Sequence, residues 1–197
     1  MRLLGLSGSL RAASINTALL QAVQRFAPEG MTLALPDLIG RLPLFNPDDD
    51  TDAPPPAVAA FRQALAEADG VVIACPEYAH GVPGAFKNAL DWTVASGEWI
   101  DKPFALFHAS ARSHYARASI AETLVTMNAH WVVEAALQLP LAGTEAGGAV
   151  VADMDRHAGT IQASLTAFAD AIRAAQAMRA QFGALPLPAR RPVFPVS

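Results

Sequence analysis

The chain has 197 residues, of which 52% are hydrophobic and 16% charged, and its formal net charge at pH 7 is -4. This composition excludes a disordered chain and is typical of one compact domain with a sizeable core. The mildly acidic balance gives no reason to expect nucleic acid as a partner, because nucleic-acid binders carry a basic excess.

Three other classes are excluded by simple counts. The one cysteine, Cys75, cannot form an internal disulfide or supply a cysteine-rich metal site, and we expect a buried structural thiol. The five histidines have no metal-ligand spacing near a carboxylate, so no metal is expected. The first apolar run is too short for a signal peptide, and no run approaches membrane length. We therefore expect a cytoplasmic protein without a membrane partner.

Strand and helix patterns alternate along the chain. Leu3 to Leu6 predicts a buried strand, and apolar residues at helical spacing follow up to residue 27. The later segments follow the same alternation: strands at 31–35, 70–75, 103–107 and within 131–139, and helical patterns at 58–68, 83–97, 120–127 and 161–182. Five alternations predict a parallel sheet covered on both faces.

Two segments fall outside this pattern. Residues 36–56 form a long loop rich in Pro and Asp, in which Asp48 to Asp50 is expected to be a solvated turn, with a metal site as the weaker alternative. Residues 186–197 contain four prolines and predict an irregular tail. We expect one domain over residues 1–185 followed by this tail.

The first strand-to-helix loop carries the residues expected to bind an anion. Ser9, Arg11, Ser14 and Asn16 offer hydrogen-bond donors at a helix start, where unpaired N–H groups favour a phosphate. Gly8 would allow a tight turn or a close approach to a ligand. The alternative is a helix that is simply capped by Ser14 beside one solvated arginine. The loop alone leaves both interpretations open.

The second and third loops should gather at the same sheet edge. Residues 76–81 combine Pro76 and Gly81, which shape the backbone, with flat side chains at Tyr78 and His80. A planar ring could lie there, hydrogen-bonded by main-chain N–H groups. A phosphate at one loop and a flat heterocycle at the next describe a mononucleotide, and FMN is the natural candidate. The third loop spans residues 108–113.

Two motifs, in the correct order, resemble the NADPH-dependent FMN reductase family. The first runs from Gly8 to Asn16 as Gly-Ser-Leu-Arg-x-x-Ser-x-Asn, and the second from Pro76 to Trp92 as Pro-Glu-Tyr-x-x-Gly-x-Pro-Gly-x-x-Lys-Asn-x-x-Asp-Trp. Residues 42–46 also resemble a segment of this family. The resemblance covers about residues 2 to 140, and the two motifs together are more specific than either alone.

The resemblance implies a flavodoxin-like three-layer α/β fold with a five-stranded parallel sheet in the order 2-1-3-4-5. It implies that the four polar residues of the first loop hold the FMN phosphate, and that the second loop cradles the isoalloxazine ring. The third loop lacks the glycines common in the family, and Arg112 is expected to face the negative edge of the ring or the nicotinamide phosphate. The expected flavin-binding residues of the last two loops are Pro76, Glu77, Tyr78, Ala79, His80, Gly81, Ser110 and Arg112.

The expected activity is hydride transfer from NADPH or NADH, through FMN, to a small-molecule acceptor such as a quinone or a free flavin. No catalytic acid or base is expected, because the cofactor carries the chemistry. A non-enzymatic electron carrier or regulatory flavoprotein is the alternative. The family also implies a homodimer or homotetramer, to which Trp92 and Trp99 could contribute, and Trp92 is expected to lie in the core or at the dimer interface rather than to take part in the chemistry. Lys87 and Asp91 could be a simple surface pair.

Overall fold

The computed structural model describes residues 1–110, 113–139 and 154–182, so that Arg112 and the predicted tail lie outside the described residues. The strands are β1 (Arg2–Ser7), β2 (Thr32–Ala34), β3 (Gly70–Ala74), β4 (Pro103–His108), β5 (His130–Trp131) and β6 (Leu137–Gln138). The helices are α1 (Ile15–Arg25), α2 (Pro56–Glu67), α3 (Gly84–Asp91), α4 (His114–Thr126) and α5 (Ala158–Phe182).

The strands form one parallel sheet in the order β2-β1-β3-β4-β5, which confirms the predicted order. Its central strand, β3, is buried along its whole length, as its run of apolar residues predicts. Ser7 is aligned with Ala74, and Ala74 with Phe107. The ends of β1, β3 and β4 therefore lie side by side, and the loops that follow them start at one edge of the sheet.

Alternation along the strands divides the core into two layers. On β4, Ala105 and Phe107 face the layer that contains α1 and α5, whereas Phe104 and Leu106 face the layer that contains α2, α3 and α4. The fold is thus the three-layer α/β arrangement expected from the sequence.

The predicted fifth strand is divided. β5 pairs with the start of β4 and β6 with its end, and the 3-10 turn Val133–Ala135 separates them. The residues of this segment that point inward include Val132 and Ala135, so the core remains filled across the interruption. Burial of apolar residues therefore continues where the strand does not, which is why the sequence pattern predicts one strand.

Helix α3 ends at Asp91, earlier than the predicted end near Gly97. Thr93 caps this end, because its hydroxyl donates to the carbonyl of Leu90 at 2.9 Å and accepts from the indole N–H of Trp99 at 2.9 Å. The two tryptophans after the helix, Trp92 and Trp99, are both fully buried within this chain. They cannot form an interface with a second subunit, which corrects that part of the expectation.

The long loop after β2 is fastened to the protein by side chains. Asp48 and Asp49 are exposed, as predicted, but Asp50 is not a solvated residue. Its carboxylate accepts a 2.7 Å hydrogen bond from Arg62, and only 18% of the Asp50 side chain and 14% of the Arg62 side chain are exposed. Arg62 also donates to the carbonyl of Trp92 at 3.0 Å.

In the described part of the chain, no helix has the length and apolar character to cross a membrane.

Candidate active site

The first loop ends in a capped helix. Ser14 has an extended backbone, and its hydroxyl accepts a hydrogen bond from the backbone N–H of Thr17 at 3.3 Å. The cap expected in the simpler interpretation is therefore present. The Ser14 hydroxyl satisfies only one of the four unpaired N–H groups at the start of the helix. The other N–H groups therefore remain available to an anion.

Arg11 is the cation of this loop. Its side chain is exposed, and among the described residues its guanidinium forms no ion pair or hydrogen bond. Ser9 is half-buried, and its hydroxyl accepts from the backbone N–H of Arg11 at 3.4 Å. The Asn16 side chain is buried and likewise has no hydrogen bond to the described part of the chain. Two donor-bearing side chains thus remain available beside a helix N-terminus.

A cavity of about 460 Å³ opens next to these residues. It lies between the first loop, which contributes Ser9 and Arg11, and the segment after β2, from Leu35 to Arg41. Arg41 is already paired with Asp37 at 3.2 Å, in contrast to Arg11. The cavity therefore adjoins the proposed phosphate loop on the side away from the second loop.

Gly8 is required for close packing between loops. Its N–H donates to the carbonyl of Ala74 at 2.9 Å, and a Cβ atom at this position would lie 2.2 Å from the sulfur of Cys75. The close approach expected at Gly8 is therefore to the end of β3. Burial raises the pKa of the Cys75 thiol to about 12, which keeps it protonated, and the expected structural thiol is confirmed.

The second loop contains a tight turn. Tyr78 and Gly81 exchange two backbone hydrogen bonds, of 3.1 and 2.9 Å, and the two residues between them have positive φ angles, 47° at Ala79 and 61° at His80. These are the φ signs of a type I′ turn. Within the described residues, the backbone N–H groups of Ala79 and His80 have no partner. The turn therefore presents two free donors at the sheet edge.

Two side chains of the second loop contact the first turn of α4. The carboxylate of Glu77 accepts a 3.0 Å hydrogen bond from the backbone N–H of Ala116. The ring of His80 stacks on the ring of Tyr115, with centroids 4.3 Å apart and an interplanar angle of 19°. The structure therefore joins the second loop to α4, a contact between residues 35 or more positions apart that sequence spacing does not reveal.

The third loop begins one residue later than predicted, because His108 is the last residue of β4 and is buried. Neither ring nitrogen of His108 has a hydrogen-bond partner among the described residues. Burial, together with the nearby Arg117 and His114, lowers the pKa of His108 to about 4, so the ring is neutral at pH 7. Ser110 is exposed at the sheet edge, whereas Arg112 lies outside the described residues.

The segment that resembles the family at residues 42–46 is held by α3. The amide of Asn88 donates to the carbonyl of Pro43 at 2.8 Å and accepts from the N–H of Phe45 at 2.7 Å. The indole of Trp92 also donates to the carbonyl of Pro43, at 2.8 Å. Lys87 and Asp91 form the expected helical ion pair. The motif residues Asn88 and Trp92 thus serve the structure of this segment.

No group of three His, Cys, Asp or Glu side chains that could hold a metal ion occurs within residues 1–110, 113–139 and 154–182. The polar features that converge on the sheet edge are instead a cation, a helix N-terminus and the free N–H groups of a turn. This set suits an anionic group and a hydrogen-bonding heterocycle more than a metal ion.

Comparisons with known proteins agree with this chemistry. The NADPH-dependent FMN reductase family model matches residues 1–145. The chain is 41% identical over 135 residues to an NAD(P)H-dependent FMN reductase of Pseudomonas aeruginosa, an alignment that covers 66% of this chain and 72% of that protein. It is 42% identical over 106 residues to a 2-hydroxy-1,4-benzoquinone reductase of a Burkholderia species, which covers 52% of this chain and 57% of the relative.

One solved structure extends the likeness over most of the chain. The flavoenzyme NAD(P)H:(acceptor) oxidoreductase FerB of Paracoccus denitrificans superposes with a TM-score of 0.68 at 25% identity, and covers 88% of this chain and 97% of FerB. These matches confirm the flavodoxin-like fold and the resemblance seen in the two motifs. The chain belongs to the NADPH-dependent FMN reductase family.

Proposed function

We propose that this protein is an FMN-dependent oxidoreductase that takes a hydride from NADPH or NADH and reduces a quinone-like acceptor. Support comes from its membership of the FMN reductase family and from relatives that are named as FMN and quinone reductases. FMN, when bound, supplies the hydride chemistry, and the residues of this chain bind and orient it.

The first loop would hold the FMN phosphate. The observation that carries this assignment is the exposed guanidinium of Arg11, which has no partner in the described part of the chain, beside the N-terminus of α1. Arginine matches phosphate oxygens with a planar set of donors. Ser9 and Asn16 would add uncharged donors, and Ser14 would contribute through the helix start that it caps.

The second and third loops would hold the isoalloxazine ring. The free N–H groups of Ala79 and His80 are suited to the carbonyl oxygens of the flavin pyrimidine, and Tyr78 is 57% exposed at the same turn. The remaining residues proposed for this part of the site are Pro76, Glu77, Gly81, Ser110 and Arg112. Glu77 would act through its position, because its carboxylate is engaged with Ala116 and is not placed to act as a general base.

The test is a visible spectrum of the purified protein reconstituted with FMN, followed by anaerobic addition of NADPH. A reductase loses its flavin absorbance at once and recovers it when a benzoquinone is added, with steady consumption of NADPH. Little one-electron semiquinone should accumulate, because a hydride carries two electrons. If neither NADPH nor NADH reduces the flavin, and dithionite does so through a stable semiquinone, the protein is an electron carrier and the proposal is wrong.

We also propose a cytoplasmic homodimer or homotetramer with the site near a subunit interface. Because Trp92 and Trp99 are buried within this chain, the interface must use other residues, and Tyr78 and Tyr115 are exposed beside the site. Light scattering after size exclusion should give at least twice 20.7 kDa. A monomer that retains full turnover would contradict this part of the proposal.

A further inference from the structure

The turn at the centre of the second loop is conformationally strained. Ala79 and His80 are consecutive residues with side chains in the left-handed region, at φ angles of 47° and 61°. This region is uncommon for residues with a side chain, because the Cβ atom approaches the following carbonyl oxygen, and alanine enters it less often than histidine, asparagine or aspartate. Two such residues in succession persist only where surrounding contacts hold them.

His80 is held from outside the loop. Its ring stacks on Tyr115, in the first turn of α4, at a centroid distance of 4.3 Å. Tyr115 itself is 58% exposed, so its ring contributes little to the core of the protein. A groove of about 510 Å³ opens beside the stack, with Glu122 and Ser119 on its wall. Within this chain, the stack on His80 is the ring contact that Tyr115 makes among the described residues.

We propose that Tyr115 is a positioning residue for flavin binding, which acts through His80 on the strained turn. This inference rests on the proposed function, because it assumes that the turn binds the flavin ring. The stack keeps His80 left-handed, and in this conformation the N–H groups of Ala79 and His80 have no partner among the described residues. Without the ring of Tyr115, the turn samples other conformations. Part of the binding free energy of FMN is then used to order the turn, so the affinity for FMN is lower.

The first test compares Tyr115→Ala, Tyr115→Phe and the control Glu122→Ala, which alters the same groove without touching the stack. FMN affinity is measured by quenching of flavin fluorescence. Tyr115→Ala should raise the Kd about 3- to 10-fold, which is the effect of losing one aromatic pair. Tyr115→Phe keeps the ring and should bind FMN about as tightly as the wild type. Glu122→Ala should have no effect on FMN affinity.

The second test separates positioning from a general loss of structure. Hydrogen–deuterium exchange of the protein without FMN should become faster in residues 76–81 of Tyr115→Ala, while β1 and β3 keep their protection. His80→Ala should weaken FMN binding to the same degree. The double variant His80→Ala/Tyr115→Ala should be no weaker than either single variant, since all three lack the same contact.

The outcomes distinguish this inference from the proposed function. If the wild type fails to bind FMN, the proposed function is wrong and the role of Tyr115 in binding is lost with it. If the wild type binds FMN and Tyr115→Ala binds equally well, or if the effects of the two single variants add in the double variant, only the role of Tyr115 is overturned. Should Tyr115→Ala fail to fold, His80→Ala tests the same contact from the other side.

Discussion

Glu77 caps a helix that begins 37 residues after it, since its carboxylate accepts a 3.0 Å hydrogen bond from the backbone N–H of Ala116. Ser113 occupies the N-cap position of α4, but its side chain forms no capping hydrogen bond. The carboxylate of Glu77 therefore takes that role, and its negative charge lies at the positive end of the helix dipole. The second loop and the start of α4 consequently depend on each other.

Removal of this cap should destabilise the protein. Glu77→Ala should lower the free energy of unfolding by about 1 kcal/mol, the usual cost of losing an N-cap side chain, as measured by urea denaturation. Glu77→Gln keeps an acceptor oxygen but not the charge, and should lose less. Glu29→Ala, at an exposed position outside the helices, serves as the control. Equal stability of the Glu77→Ala and Glu29→Ala variants would show that the cap is not important.

Gly8 should not tolerate a side chain. In Gly8→Ala the new Cβ would lie 2.2 Å from the sulfur and 2.9 Å from the Cβ of Cys75, so the first loop must move away from β3. We expect a loss of about 1–3 kcal/mol in the free energy of unfolding, the range for overpacking a filled site. Gly84→Ala is the control, because a Cβ at that position meets no atom within 4 Å. A thermal scan that finds the two variants equally stable contradicts the close packing.

The strands, the helices and the capped start of α1 could be predicted because each depends on local patterns, whereas the sheet order came with the resemblance to the family. The buried apolar run of β3 is encoded by neighbouring residues, and so is the cap in which Ser14 accepts a hydrogen bond from the N–H of Thr17. The end of α3 was less predictable, since Thr93 closes it through contacts with Leu90 and Trp99.

The remaining features depend on contacts between distant residues. Asp50 looks like one more solvated carboxylate in an acidic run, and only its pairing with Arg62 on α2 makes it a largely buried residue. In the same way, the stack of His80 on Tyr115 joins residues 35 positions apart. A single sequence contains no signal for either pair, because helical spacing relates only residues three or four positions apart.

Arg11 should contribute strongly to FMN binding and little to folding. Arg11→Ala should weaken FMN binding by roughly 1.5–3 kcal/mol, the range for a hydrogen bond to a charged group. The free energy of unfolding without FMN should change by less than about 0.5 kcal/mol, because the side chain is exposed and has no partner in the described part of the chain. Arg173→Ala removes an exposed arginine of α5 that is paired with Asp170, and it controls for the loss of one positive charge away from the sheet edge.

Riboflavin provides an independent measure of the same contact. It lacks the phosphate, so it should bind the wild type more weakly than FMN, and Arg11→Ala should affect its binding little. Equal FMN affinities for the wild type and Arg11→Ala would remove Arg11 from the phosphate site. A large loss of riboflavin affinity in the variant would instead indicate that Arg11 acts on the loop as a whole.

His108 should make the protein sensitive to acid. Its pKa is lowered from 6.5 to about 4 in the folded protein, first by burial and then by Arg117 and His114. The unfolded chain therefore binds more protons between these two values, so the free energy of unfolding falls as the pH is lowered from about 6.5 to 4. A shift of this size corresponds to about 3 kcal/mol lost once the pH is below 4.

The variant His108→Leu isolates this effect. Leucine cannot be protonated and has no ring nitrogens to leave unpaired, so the variant should be about 1 kcal/mol more stable than the wild type at pH 7. The difference between the two proteins should then widen by about 2 kcal/mol when urea denaturation is repeated at pH 5. His157→Leu, outside the sheet edge, controls for the loss of a histidine. Parallel stability curves for the wild type and His108→Leu between pH 7 and 5 would mean that His108 has a near-normal pKa, and that an internal water or another group satisfies its ring.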